Sequence, residues 1–166
     1  MIELRELTTN DGTDVFEMIQ EIGKGQNGFV NSLYSDNFSL FQEKLLRNYE
    51  MSEGINLEPQ YVPQTIYWLY VDGKPVGYGK LRHYLNQNLL QHGGHIGYVI
   101  GPISRGNGYA KILLKELLQK SREKGIDQVL LTCDDSNTAS RKVIESNNGE
   151  LKDIKDGSCF YWISIN

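Results

Sequence analysis

Positive charge, cysteine and long apolar runs are all scarce in this chain, and each shortage narrows what it can be. Lysine and arginine number 17 against 21 aspartates and glutamates, a net charge of −4. Nucleic acid is therefore a poor main partner, because gripping phosphates generally requires a basic face. The two cysteines, Cys133 and Cys159, form no CxxC pair and no ligand cluster with the three histidines, so no metal site is expected. So few thiols suit a reducing compartment, and the expected location is the cytoplasm. No apolar run approaches the roughly 18 residues of a membrane span. The opening MIELRELTTN breaks its apolar positions with charge, unlike a signal peptide. At 166 residues without low-complexity segments, the chain is expected to be one domain, 1–166, with a real core.

What is present is periodic. IELREL (2–7) alternates apolar and polar residues, the pattern of a half-buried strand. Asn10 or Asp11 is placed to cap a following helix, in which Val15, Met18, Ile19 and Ile22 form one stripe. The glycine-rich GKGQNG (23–28) ends it. A second helix is expected from about Asn37 to Met51, with Phe38, Phe41, Leu45, Leu46 and Tyr49 on one face, followed by a loop at 52–64. TIYWLYVDGKPVGYGKLRHYL (65–85) reads as a hairpin turning at Asp72-Gly73. A linker, NQNLLQHGG, leads to a strand at 95–100. Then come a helix from about 108 to 123, a strand at 127–133, a helix from about 138 to 146 stopped by Asn147-Asn148-Gly149, and two strands within 150–165 around Asp156-Gly157. There are no internal repeats. The order implies one α/β sheet protein, partly antiparallel.

The stretch HIGYVIGPISRGNGYAKILLKELL (95–118) raises the functional question. An apolar strand passes through Gly101-Pro102 to Arg105-Gly106-Asn107-Gly108, and a helix follows with Ala110, Leu113, Leu114, Leu117 and Leu118 on one face. The first-turn N–H groups of a helix lack internal partners and the dipole is positive there, so this is an anion seat. Gly106 and Gly108 would let a phosphate approach the backbone, and Arg105 adds a fixed charge. A plain tight loop would use the same glycines. A Walker loop fails, since Asn107-Gly108 stand where Lys-Ser/Thr belongs, and a dinucleotide fingerprint fails because position 111 is lysine.

Arg105-x-x-Gly108-x-Ala110, after a strand and opening a helix, resembles the pyrophosphate-binding motif of the GNAT superfamily of N-acetyltransferases. VLLTCDDSNTASRKVIESNNG (129–149) is similar to that family's next strand and Asn-x-x-Ser helix, and the two motifs stand in order about 30 residues apart. The likeness is dense over about residues 64–151 and only topological before that, and it points to a branch of unassigned substrate. It implies a mixed, mostly antiparallel central sheet flanked by helices and splayed at the central strands. It implies acetyl-CoA as co-substrate, without a metal. Its pyrophosphate would lie on Arg105, Gly106, Asn107, Gly108, Tyr109 and Ala110. Its pantetheine arm would pair with the backbones of Tyr98, Val99 and Ile100, and Asn137 and Ser140 would face that arm.

The resemblance also implies the chemistry, acetyl transfer from the thioester to a primary amine of a small molecule or peptide. Family members often use a glutamate near the start of the strand at 95–100 as general base, and here that place is close to His95. A histidine is a competent base near its ordinary pKa of about 6.5. A histidine that merely caps the strand fits the same place, and His83 and His92 are alternative bases. The family's proton-donating tyrosine would fall at Ile144, which cannot donate, leaving Tyr98, Tyr109 and Cys133 as donors by position. Ile144 also motivates an alternative, a non-catalytic acyl-CoA-binding sensor of the same fold. The acceptor pocket is expected from the N-terminal helices, the loop at 52–64 and the hairpin, with Tyr61, Tyr67, Trp68, Tyr70, Tyr78 and Tyr84 supplying aromatics, half of them core. An exposed sheet edge leaves room for a homodimer.

Overall fold

The computed structural model describes residues 1–26 and 28–165. Asn27, within the glycine-rich stretch 23–28, lies outside the described residues. Among the described residues, every named strand pairing is antiparallel, and the strands form two main sheets with helices packed against them.

The first sheet has the order β1-β4-β5-β6: β1 Ile2–Glu6, β4 Gln64–Val71, β5 Lys74–Arg82 and β6 Ile96–Ile100. β4 and β5 are the expected hairpin, turning through Asp72 (φ 49°) and Gly73 (φ 82°). The second sheet has the order β7-β9-β8: β7 Gln128–Asp134, β8 Glu150–Lys155 and β9 Ser158–Ser164. Among the described residues five α-helices accompany them: α1 Thr13–Ile22, α2 Phe38–Ser52, α3 Gln87–Gln91, α4 Tyr109–Glu123 and α5 Thr138–Ser146. A two-residue hairpin, β2 Gly25–Gln26 with β3 Phe29–Val30, stands apart from both sheets.

Two cores follow from the two faces of the first sheet. On one, Leu113, Leu114 and Leu117 of α4 are fully buried against Leu81, Ile96, Leu131 and Tyr161; each such leucine contributes about 1.5–3 kcal/mol. Gly79 permits this approach, because a Cβ there would sit 2.4 Å from Leu117. On the other face, Val15, Ile19, Phe41 and Leu45 of α1 and α2 pack on Trp68 and Tyr78.

Several local expectations are corrected. Gly12, not Asn10 or Asp11, is the N-cap of α1. Asp11 instead accepts the Trp68 indole N–H at 2.8 Å and the Thr8 backbone N–H at 2.8 Å, a long-range demand that outcompetes helix capping. In α2, Phe41 and Leu45 are buried but Leu46 and Tyr49 are exposed, since the sheet meets only a narrow stripe of that helix. The linker after β5 holds a short helix, α3, capped by the Asn86 side chain. His95 itself precedes β6, which starts at Ile96.

β6 and β7 lie side by side but form no ladder. They are joined at one end only, by an isolated bridge between Gly94 and Leu131 and by His95. The His95 N–H donates to the Leu130 carbonyl at 2.8 Å, and its ring Nδ1 accepts the Leu130 N–H at 2.9 Å. A side-chain nitrogen thus does what the next carbonyl of a ladder would do. Beyond this staple the strands diverge, leaving the far edge of β6 open.

Candidate active site

The divergence makes a cavity of about 740 Å³ with β6 and α4 on one side and β7 and α5 on the other. At its outer end, β6 stops at Gly101, a 3₁₀ turn covers Pro102–Ser104, and Arg105 Nε donates back to the Ile100 carbonyl at 3.2 Å. The Asn107 side-chain amide donates to the carbonyls of Ser104 (3.0 Å) and Arg105 (3.3 Å), which holds the loop in shape. Gly106 (φ 81°) and Gly108 (φ 78°) are left-handed, and a Cβ on either would meet nothing within 4 Å. Gly108 is the N-cap of α4 and no side chain caps that end. The first-turn N–H groups are therefore open to an anion. Gly106, Gly108, Tyr109 and Ala110 all line the cavity with Arg105.

Deeper in, Tyr98 of β6 and Ser140 of α5 meet across the cleft with their hydroxyl oxygens 2.9 Å apart. Burial pushes the Tyr98 hydroxyl up to about 12. Asn137 caps α5 by accepting the Ser140 N–H at 3.2 Å, and it too lines the cavity. The Cys133 thiol is pushed up to about 11, chiefly by burial, so it is held protonated and is a poor nucleophile. Ile144 is 1% exposed in the core beside Gly149.

The structure thus brings together around one cavity Tyr98, Val99, Ile100, Arg105, Gly106, Gly108, Tyr109, Ala110, Asn137 and Ser140. Asn107 shapes the loop without lining the cavity. His95 is not brought in. It is 5% exposed, and burial followed by the Arg82 charge lowers its pKa to about 4. With Nδ1 accepting a backbone proton, the neutral ring carries its own proton on Nε2. His83 is bonded to Thr65 Oγ1 at 2.8 Å, away from the cavity, whereas His92 lines it.

The cavity's remaining wall corrects the aromatic expectation. Trp68, Tyr67, Tyr70 and Tyr78 are buried, Tyr61 and Tyr84 are exposed, and none of them lines the cavity. The Tyr78 hydroxyl donates to Asn31 Oδ1 at 2.6 Å and the Tyr70 hydroxyl to Asp14 Oδ2 at 3.3 Å, so these rings anchor the N-terminal segment. Phe29 and Val30 of β3 line the cavity instead, with Lys80 and Arg82 of β5. Lys80 Nζ donates to the Val30 carbonyl at 3.0 Å and lies 4.9 Å from the Phe29 ring centroid. Burial and then the charge of Arg82 lower its pKa to about 8. The alternation Tyr78, Lys80, Arg82 on one face of a largely apolar strand was the sequence signal for this wall. Among the described residues no group of three or more His, Cys, Asp or Glu side chains is arranged to hold a metal, and no helix is long and apolar enough to cross a membrane.

Residues 29–149, which include the open β6 edge, the uncapped start of α4 and Asn137, match the model of the acetyltransferase (GNAT) family. The chain belongs to that family of acetyltransferases. No curated protein sequence matches the chain. Solved structures share the fold. RimL, a ribosomal L7/L12 alpha-N-protein acetyltransferase in complex with coenzyme A, is 16% identical with a TM-score of 0.75, covering 98% of this chain and 93% of its own. PseH, an N-acetyltransferase of Campylobacter jejuni solved with acetyl coenzyme A, is 14% identical with a TM-score of 0.67, covering 99% of each chain. The protein yncA of Salmonella typhimurium, solved with its cofactor acetyl-CoA, is 14% identical with a TM-score of 0.69, covering 100% of this chain and 95% of its own.

Proposed function

We propose that the chain transfers the acetyl group to a primary amine by direct attack, with Arg105, Gly106, Gly108, Tyr109 and Ala110 seating the pyrophosphate. The observation that carries this is the continuity of one cavity from the uncapped α4 start, along the open β6 edge, to the Tyr98–Ser140 pair. Acetyl-CoA supplies the activated thioester carbonyl, which the amine attacks with departure of the thiolate. The open edge of β6, over Tyr98, Val99 and Ile100, lies beside the pantetheine arm, and Asn137 faces it from α5. Asn107 acts by holding the loop.

Tyr98 stands in for the donor that Ile144 cannot be. Its hydroxyl reaches the cleft, is protonated at neutral pH, and is oriented by Ser140. In this reading His95 is a structural joint and not the base, because its accepting nitrogen is engaged and its pKa lies well below neutrality. The amine loses its proton to solvent in the cavity.

The test is calorimetry with acetyl-CoA, with desulfo-CoA and ATP as controls. Micromolar binding that Arg105→Glu abolishes supports the site, and no binding at millimolar ligand overturns it. Steady turnover with any amine excludes the second reading, a non-catalytic sensor, which the buried Ile144 favours.

A further inference from the structure

Resting on that acetyl-transfer reading, we propose that the acceptor amine carries a carboxylate near its nitrogen, and that Lys80 and Arg82 bind this carboxylate. Lys80 and Arg82 project from the same face of β5 and both line the cavity. Lys80 is only 8% exposed, yet no carboxylate forms a salt bridge with either residue among the described residues. Buried cations are ordinarily paired, and leaving two like charges together without an anion is costly.

Their present partners are weak. The Lys80 ammonium has three hydrogens and, among the described residues, donates one hydrogen bond, to the Val30 carbonyl. Arg82 donates through Nη1 to the carbonyls of Gly93 and Gly94, both at 3.3 Å. The cavity wall holds one carboxylate among the described residues, Asp134. It is exposed at the end of β7 next to Gly28, and it bridges neither cation.

The cofactor's phosphates do not account for these charges. Lys80 pairs with Gly97, three residues before Ile100, where Arg105 closes the loop. Three strand residues span about 10 Å. The inner cations therefore need an anion of their own, and the acceptor is the other molecule that enters. A carboxylate suits the planar Arg82 fork and the Lys80 point charge together. Two cations beside the reacting nitrogen also favour its neutral, nucleophilic form, which fits a site whose histidine is engaged elsewhere.

The test uses the intact protein saturated with desulfo-CoA and calorimetric titration of amines. The panel is the standard amino acids with β-alanine and γ-aminobutyrate, each beside its carboxamide and its decarboxylated amine, plus O-phosphoethanolamine. At least one carboxylate should bind about thirtyfold or more tightly than its own carboxamide. That preference should collapse in both Lys80→Met and Arg82→Gln, with desulfo-CoA affinity unchanged. The inference is overturned if no carboxylate outbinds its carboxamide, if the preference survives both substitutions, or if phosphoethanolamine binds best. Failure of desulfo-CoA to bind the unaltered protein defeats the acetyl-transfer reading itself and this inference with it. Retained cofactor binding without carboxylate preference defeats the inference alone.

Discussion

Replacing Lys80 by methionine should make the protein more stable at neutral pH while damaging its acceptor site. Lysine ordinarily titrates at 10.5, but in the fold Lys80 titrates at about 8. At about 1.4 kcal/mol per pH unit, keeping it charged at pH 7 costs the native state on the order of 3 kcal/mol. Its hydrogen bond to Val30 returns about 1 kcal/mol. Methionine fills the same volume without charge, so Lys80→Met should gain about 2 kcal/mol, or about 4–8 °C in Tm for a domain of this size. The folded pKa is the lower one, so the penalty is complete below about 8 and is relieved as pH rises towards 10.5. By about pH 9.5 roughly 2 kcal/mol of it should be gone, and the gain from methionine should approach zero. Denaturant unfolding of both proteins at these two pH values is the assay. A Lys80→Met protein that is less stable at neutral pH, or a gain independent of pH, would refute the reasoning and make Lys80 a clamp for the β2–β3 hairpin.

Three further outcomes are expected. Gly108→Val forces a β-branched residue into a left-handed conformation at the start of α4; acetyl-CoA affinity should fall about tenfold or more, and unchanged calorimetry would remove the loop from the site. Tyr98→Phe should lower kcat by about 100-fold with little change in the KM for acetyl-CoA, whereas an unchanged kcat would clear Tyr98 of proton donation. His95 has a native pKa of about 4 against an ordinary 6.5, so it contributes stability above 6.5 that is lost as pH falls through about 4. His95→Gln should flatten that acid loss and leave the pH–rate profile without a missing limb near neutrality; loss of such a limb would restore His95 as the base.

What was legible in the sequence was local or repeated. The Asp72-Gly73 hairpin, the leucine stripe of α4 and the Asn137 cap depend on neighbours a few residues apart, and all three are present in the fold. The misreadings are long-range. Asp11 looks like a cap until Trp68, 57 residues away, claims its carboxylate. His95 sits where the family places a base, but its ring nitrogen is taken by Leu130, 35 residues on, and no spacing rule announces that bond. The hairpin tyrosines looked like pocket aromatics because alternation assigns faces without saying which face meets a cavity. Lys80 was visible in principle, as a cation within an apolar alternation, but its meaning depends on Val30 and Phe29 arriving over it.

The costly features of this fold gather along one cleft. His95, Lys80 and Tyr98 all have pKa values displaced chiefly by burial; Lys80 lies on β5, Tyr98 on β6, and His95 immediately before β6. Each has a different consequence. A neutral His95 keeps the two sheets joined at one end, and the joint is what lets them part at the other. A protonated Tyr98 across from Ser140 can release a proton to a leaving group. A Lys80 that keeps its charge at neutral pH, in a chain whose net charge is −4, makes a small positive region inside an acidic protein. Stability alone would replace that lysine with an apolar residue, and proteins carry such costs mainly where function uses them. The same charge that destabilises the fold is the one an acceptor carboxylate would neutralise, so binding of the acceptor and relief of that cost are one event.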